Sequence, residues 1–251
     1  VGTPGQTINS FNDFYLGQTR LDEFAVPQMD RSTILSPSDH GGMLGSQTAL
    51  YIQQAAGDAY RKGNLGMIGG SDTYMAQNVA THTVGAYAGT PRVNGANQNV
   101  TYETAKSTTN FSQTLNTDGW SNSITGVLKA GDVFTIANVY AVNPVTKATL
   151  PFERQFTVLA DANSGASTGP AALTISPPII TSGAQKTCSA VPANDALITV
   201  IGTASTGYRQ NMAFHKNAFA FVSVPLELPV GAVNPTRQTY KGISLRVVPS
   251  W

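Results

Sequence analysis

The sequence predicts an α+β fold in which a helix-containing first region gives way to a β-rich middle that reads as a small β-barrel or sandwich. Three observations lead there. Apolar residues recur at helical spacing in the first third, the middle alternates with period two between turn clusters, and longer apolar segments return near the end. Only 12% of the residues are charged, while Gly, Ala, Thr, Ser and Asn are abundant, a balance that favours short strands and tight turns over long solvated helices.

Taken in order, Ser10 followed by Asp13 resembles a capping box, and Phe11, Phe14, Tyr15, Leu21 and Phe24 follow at the spacing of one buried stripe. This predicts a helix over residues 10–24. Residues 32–35 read as a short strand, and Ser36-Pro37 then supplies a cap and a first-turn proline for a second helix. Ala49, Leu50, Ile52, Ala56, Ala59 and Tyr60 support a third helix over residues 46–62, with Gly63 as its left-handed cap. Gly66-Met67-Ile68-Gly69-Gly70 lacks the Lys-Ser/Thr of a phosphate-binding loop and reads as a β-turn.

Beyond Thr83 the composition shifts to Gly, Asn and Thr as far as Thr125, which predicts loops and short hairpins rather than helices, with Trp120 as the main anchor. A domain boundary falls near residues 81–85. Gly131-Asp132 reads as a turn feeding a strand in which Phe134, Ile136 and Tyr140 share a face. Phe156 with Val158, Leu173 with Ile175, and Ile198 with Val200 mark further strands, punctuated by Pro177-Pro178 and the 165–169 glycine stretch. Residues 219–222 and 243–248 read as strands that complete the sheets of the first region.

Several function classes are disfavoured by the chemistry on offer. Fifteen basic against fourteen acidic residues, with no basic run beyond Arg61-Lys62, provide no strong phosphate attraction. The single Cys188 can form no internal disulfide and reads as a small core residue. The longest apolar stretch, near residues 218–224, is well short of the roughly 18 residues that a membrane span needs. The start has no signal-peptide pattern, so a soluble chain without export is expected, and the absence of an initiator Met suggests an upstream segment. His40, His82 and His215 show no paired ligand spacing and read as structural residues, His40 on a helix surface. Asn99 and Asn110 match a glycosylation pattern that means little without secretion. No catalytic, cofactor-binding or metal residue is assigned. Two other readings are a carbohydrate-binding or adhesive β-protein stacking sugars on Trp120, Tyr87 and Tyr102, and a hydrolase using Ser36 or Ser38 with His40. The second has no Gly-x-Ser-x-Gly elbow to support it.

Residues 128–147, LKAGDVFTIANVYAVNPVTK, closely resemble a segment of podovirus-type coat proteins that carry an inserted β-domain. Residues 156–162, 174–180 and 198–204 resemble later strands of that insert, and residues 209–220, RQNMAFHKNAFA, are similar to the strand that re-enters the capsid body. Residues 240–248 resemble a following body strand. Residues 1–71 fit more loosely, with Leu35-Ser36-Pro37-Ser38-Asp39 at the strand-to-helix turn.

The resemblance implies a tailed-phage capsid fold, with partial peripheral and axial domains in residues 1–83, the β-barrel insert in 84–204, and return strands in 205–251. The family's N-terminal arm, extended loop, spine helix and last body strand have no counterpart, so a fragment or processed product is expected. The implied function is a structural subunit of an icosahedral bacteriophage capsid, located in the virion and assembled in the host bacterial cytoplasm. The implied partners are other copies of itself in pentamers and hexamers, scaffolding and portal proteins, and packaged DNA without sequence-specific contact. No cofactor, membrane partner or enzymatic activity is implied.

Overall fold

The structure, a computed structural model, describes residues 3–47, 63, 65–231 and 234–248. The chain divides into two compact units, Val1–His215 and Lys216–Trp251.

The first unit opens with helix α1, Phe11–Glu23, capped as its sequence predicts: the Ser10 hydroxyl accepts the Asp13 amide at 3.1 Å and donates to the Asp13 carboxylate at 2.6 Å. The buried face of α1 differs from the predicted stripe. Phe14 and Gln18 are buried, whereas Phe11 and Tyr15 stack on each other while remaining 47% and 40% exposed. Strand β1, Arg31–Leu35, leads into α2, Pro37–Gln47, and the hairpin of β2, Met67–Ile68, and β3, Ser71–Met75, turns on Gly69 and Gly70. Both glycines have positive φ, as the predicted turn requires. The helix expected over residues 46–62 lies outside the described residues after Gln47.

After β3 come β4, Thr81–Thr83, and β5, Gly89–Val93. A short helix, α3, Tyr102–Lys106, corrects the expectation of loops alone here; the Thr101 hydroxyl caps it by accepting the Thr104 amide. Then follow β6, Gln113–Trp120, β7, Val133–Val142, β8, Thr149–Val158, β9, Ala171–Ser176, β10, Ile198–Val200, β11, Gly207–Arg209, and β12, Met212–His215.

Two sheets organise this unit. The body sheet has the order β12-β1-β3-β2, with β1 parallel to β3 and antiparallel to β12. The other has the order β10-β7-β8-β9-β6-β5. Its edges meet: Arg92 bridges Leu197, the Val93 amide donates to the Ala196 carbonyl at 3.0 Å, and the Asp195 amide donates back to Val93 at 2.9 Å. The six strands thereby curl toward closure, which removes most of the exposed edge.

The interiors of the two sheets are built differently. Inside the six-stranded sheet, seventeen buried residues form one cluster, including Phe134, Ile136, Phe156, Val158, Leu173, Ile175 and Cys188. Each fully buried aliphatic or aromatic side chain contributes about 1.5–3 kcal/mol, so this cluster is a large source of apolar stabilisation. Among the described residues of the body, Phe14, Leu35, Met43, Leu65 and Ile68 form a second cluster. The body supplements them with polar contacts around Arg31, whose guanidinium donates to Asp22 at 2.7 Å and to the carbonyls of Val26 and Pro27 at 2.6 and 2.8 Å. Gln18 donates to Thr33 at 3.2 Å, and Thr33 meets Ser71 at 2.8 Å.

Strand β7 corrects one predicted face. Phe134 and Ile136 point into the core, but Tyr140 is 36% exposed and Val139 and Ala141 are buried instead. The register against β8 slips between Thr135 and Tyr140, and Asn138 takes φ +65° inside the irregularity. An extra residue in one strand reverses which side chains face inward, and Asn tolerates the left-handed backbone better than most residues.

In the second unit, Lys216–Ala218 forms a single 3₁₀ turn, and β13, Thr236–Tyr240, pairs with β14, Ile243–Val247, across Lys241 and Gly242. Both turn residues have positive φ, as a two-residue hairpin loop favours. One expectation is corrected. Residues 219–222 form no strand, since nothing among the described residues pairs with them along a ladder.

The turn before β7 provides a direct test. Gly131 has φ +102°, and a Cβ there would lie 3.1 Å from the His82 ring. Gly131→Val is expected to lower stability by about 1 kcal/mol or more, read as a fall in melting temperature, because a β-branched residue is strained at that backbone angle.

Candidate functional site

The point where the chain passes between body and six-stranded sheet is dense in polar contacts. Strand β4 carries the chain out and β11 carries it back, paired antiparallel with Thr81 opposite Arg209 and Thr83 opposite Gly207. Backbone bonds extend this neck in both directions, from Gln210 to Ala80 at 3.0 Å and from Val84 to Thr206 at 3.1 Å.

Asp132, in the turn before β7, holds the neck to the barrel. One carboxylate oxygen lies 2.7 Å from His82 Nε2; the other accepts the backbone amides of Gly85 at 2.9 Å and Lys129 at 2.7 Å. Its side chain is fully buried, and a buried carboxylate is tolerable only when its oxygens are hydrogen-bonded. Gly85 permits this approach, since a Cβ there would come within 2.6 Å of Val127 O and Leu128 Cα. A second set of contacts ties the barrel to the end of α1: Arg20 lies 3.4 Å over the Phe152 ring, Phe24 meets Phe152 edge-on at 5.9 Å, and Asn143 donates to the Glu23 carbonyl at 3.0 Å.

On the body side, Asp39 draws three chain segments together. Its carboxylate accepts the Ile8 amide at 3.0 Å, the Ser36 hydroxyl at 2.6 Å, Asn211 Nδ2 at 2.8 Å, and Arg209 through Nε at 3.1 Å and a terminal nitrogen at 3.2 Å. Burial alone would raise its pKa; the donors from Arg209, Ser36, Asn211 and Ile8 outweigh that and hold it at about 2, below the ordinary 3.8. A cavity of about 450 Å³ lies between α1, the neck and the barrel, with Phe14, Val84, Asp132 and Arg209 in its wall.

The residues weighed for other chemistry are dispersed. Ser36 is buried with its hydroxyl committed to Asp39, and the half-buried His40 ring, its pKa lowered by desolvation, makes no hydrogen bond to Ser36 or Ser38. His40 is thus less exposed than a surface helix residue. His82 belongs to the neck, and His215 ends β12 opposite Arg31. Among the described residues no group of three potential ligands could hold a metal. Burial pushes the Cys188 thiol up, as suits a core residue. Trp120 is buried with its indole donating to Thr117 at 2.8 Å, Tyr87 donates to the Gly202 carbonyl at 2.6 Å, and Tyr102 packs edge-on against Phe111. These three aromatics therefore form no common stacking surface. Among the described residues no helix is long and apolar enough to cross a membrane.

Asp39→Asn tests the body-side cluster. Because the folded pKa is depressed, its stabilisation is complete above the ordinary value of 3.8 and is lost as pH falls through about 2. The variant is expected to lose about 1–2 kcal/mol at neutral pH, with the gap to wild type closing between pH 4 and 2 in denaturant melts.

Comparison with known proteins places this geometry. The family model described as "P22 coat protein - gene protein 5" matches residues 2–249. The major capsid protein of Acyrthosiphon pisum secondary endosymbiont phage 1 is 26% identical over 257 residues, covering 98% of this chain and 60% of that protein. The chain thus spans about 60% of the length of that curated relative. Among solved structures, the CUS-3 coat protein I-domain is similar at 29% identity over 45% of this chain and 96% of its own, with a TM-score of 0.31. With a family match that runs over nearly its whole length, the chain belongs to the P22 coat protein family.

Proposed function

We propose that this chain is the shell-building part of a phage coat subunit, which packs with other copies of itself in pentamers and hexamers to form an icosahedral capsid around double-stranded DNA. The family match over residues 2–249 carries the reading. It is supported by the apolar side chains that the second unit, taken by itself, leaves uncovered, among them Phe221, Val222 and Leu245. Surfaces of that kind call for cover by other protein. The work is done by many modest symmetric contacts rather than by a catalytic group. Scaffolding and portal proteins are the expected assembly partners, with assembly in the host bacterial cytoplasm. DNA is enclosed without sequence-specific contact, in keeping with a net charge of +1.

Within this reading, residues 84–204 are an inserted domain whose seventeen-residue core supports independent folding. The excised segment is expected to unfold cooperatively, and a flat melt with poor amide dispersion would refute its autonomy.

The assembly reading is tested on the full-length protein. Light scattering and negative-stain microscopy are expected to show closed shells, with a scaffold co-expressed where assembly requires one. The 251-residue chain alone should give monomers or small rings, because specific interfaces need more than roughly 1,000 Å² to persist. Full-length protein that stays monomeric at high concentration beside all its neighbouring structural gene products would overturn the reading.

A further inference from the structure

A second cavity, of about 290 Å³, lies where the β7–β8 turn, the 184–187 loop and the end of α1 meet. Its wall carries three cations, Lys147, Arg154 and Lys186, and no Asp or Glu. That concentration is unusual in a chain whose fifteen basic residues are balanced by fourteen acidic ones. Among the described residues none of the three forms a salt bridge.

Arg154 is the strongest indicator. Its guanidinium lies 5.1 Å over the Phe24 ring, and its Nε is buried without a hydrogen-bond partner. A buried charged donor left unmade is expensive, and a guanidinium offers a planar fork matched to the paired oxygens of a carboxylate or phosphate. Lys147 Nζ makes one bond, to the Pro144 carbonyl at 2.6 Å, which leaves two ammonium hydrogens available. The Asn143 side chain holds the turn that presents Lys147 by accepting the amides of Val145 and Thr146 at 2.9 and 3.0 Å. The space is at the lower limit of ligand pockets, so it suits a small anion rather than a nucleotide.

We propose that this cavity is a binding site for a small oxyanion, a phosphate or carboxylate group held by Arg154 with Lys147 and Lys186. The anion would satisfy Arg154 and neutralise a cluster of like charges where the barrel meets α1. The proposal is independent of the capsid reading, because it rests on the charge and geometry of the cavity alone.

The test uses the 251-residue chain, titrated separately with inorganic phosphate and with acetate at constant ionic strength held by sodium chloride. Saturable shifts are expected in the amide resonances of Lys147 and Thr187 and in the Arg154 Nε–H. Tighter binding of phosphate would point to a phosphate source, and tighter binding of acetate to a side-chain carboxylate. The double variant Lys147→Gln/Lys186→Gln leaves the Arg154–Phe24 contact in place and is expected to weaken binding by roughly tenfold or more, with spectra unchanged elsewhere. Shifts that stay linear with both anions, or equal responses in variant and wild type, would overturn the proposal.

Discussion

A domain inserted into the middle of another must leave and return at one place, so the two crossing strands must lie side by side. The pairing of β4 with β11 meets that constraint, and much of the first unit is arranged around it. Hydrogen bonds between two three-residue strands would be weak if water could reach them freely. Asp132 reinforces them from the barrel side by gripping His82 and the Gly85 amide, and Asp39 does so from the body side through Arg209. The two buried carboxylates thus bracket the neck.

The two sheets depend on different forces. The barrel is stabilised by close-packed apolar side chains, and the described part of the body joins an apolar cluster to directed polar contacts among Arg31, Gln18, Thr33 and Ser71. Hydrophobic burial tolerates small shifts in position; hydrogen bonds lose strength steeply with angle and distance.

Local chemistry was legible where it acts over a few residues. Ser10 and Asp13 mark a helix start, Ser36-Pro37 another, and the glycines of residues 66–70 a β-turn. Alternation identified the inward face of Phe134 and Ile136, because period two is a property of the strand itself. It failed at Tyr140, since Asn138 resembles any other polar strand residue until its backbone angle is known. Helical spacing placed Phe11 and Tyr15 on one stripe but could not say which side of α1 meets β1. The sequence marks Asp39 only as part of a strand-to-helix turn and Asp132 only as a turn residue. Their partners are 170 and 50 positions away in sequence, and a single sequence carries no signal for such pairs.

The position of β12 in the body sheet bears on the order of events during synthesis. Ile34 pairs with Met212, so β1 must wait for the chain beyond the barrel before it gains that neighbour. Closing a flexible loop between residues 83 and 207 would cost about 4 kcal/mol in chain entropy. A barrel that has already folded holds those two ends together and removes most of that term. Polymer statistics then say that an inserted sheet which folds first acts as a spacer, turning a distant pairing in the surrounding body into a nearly local one.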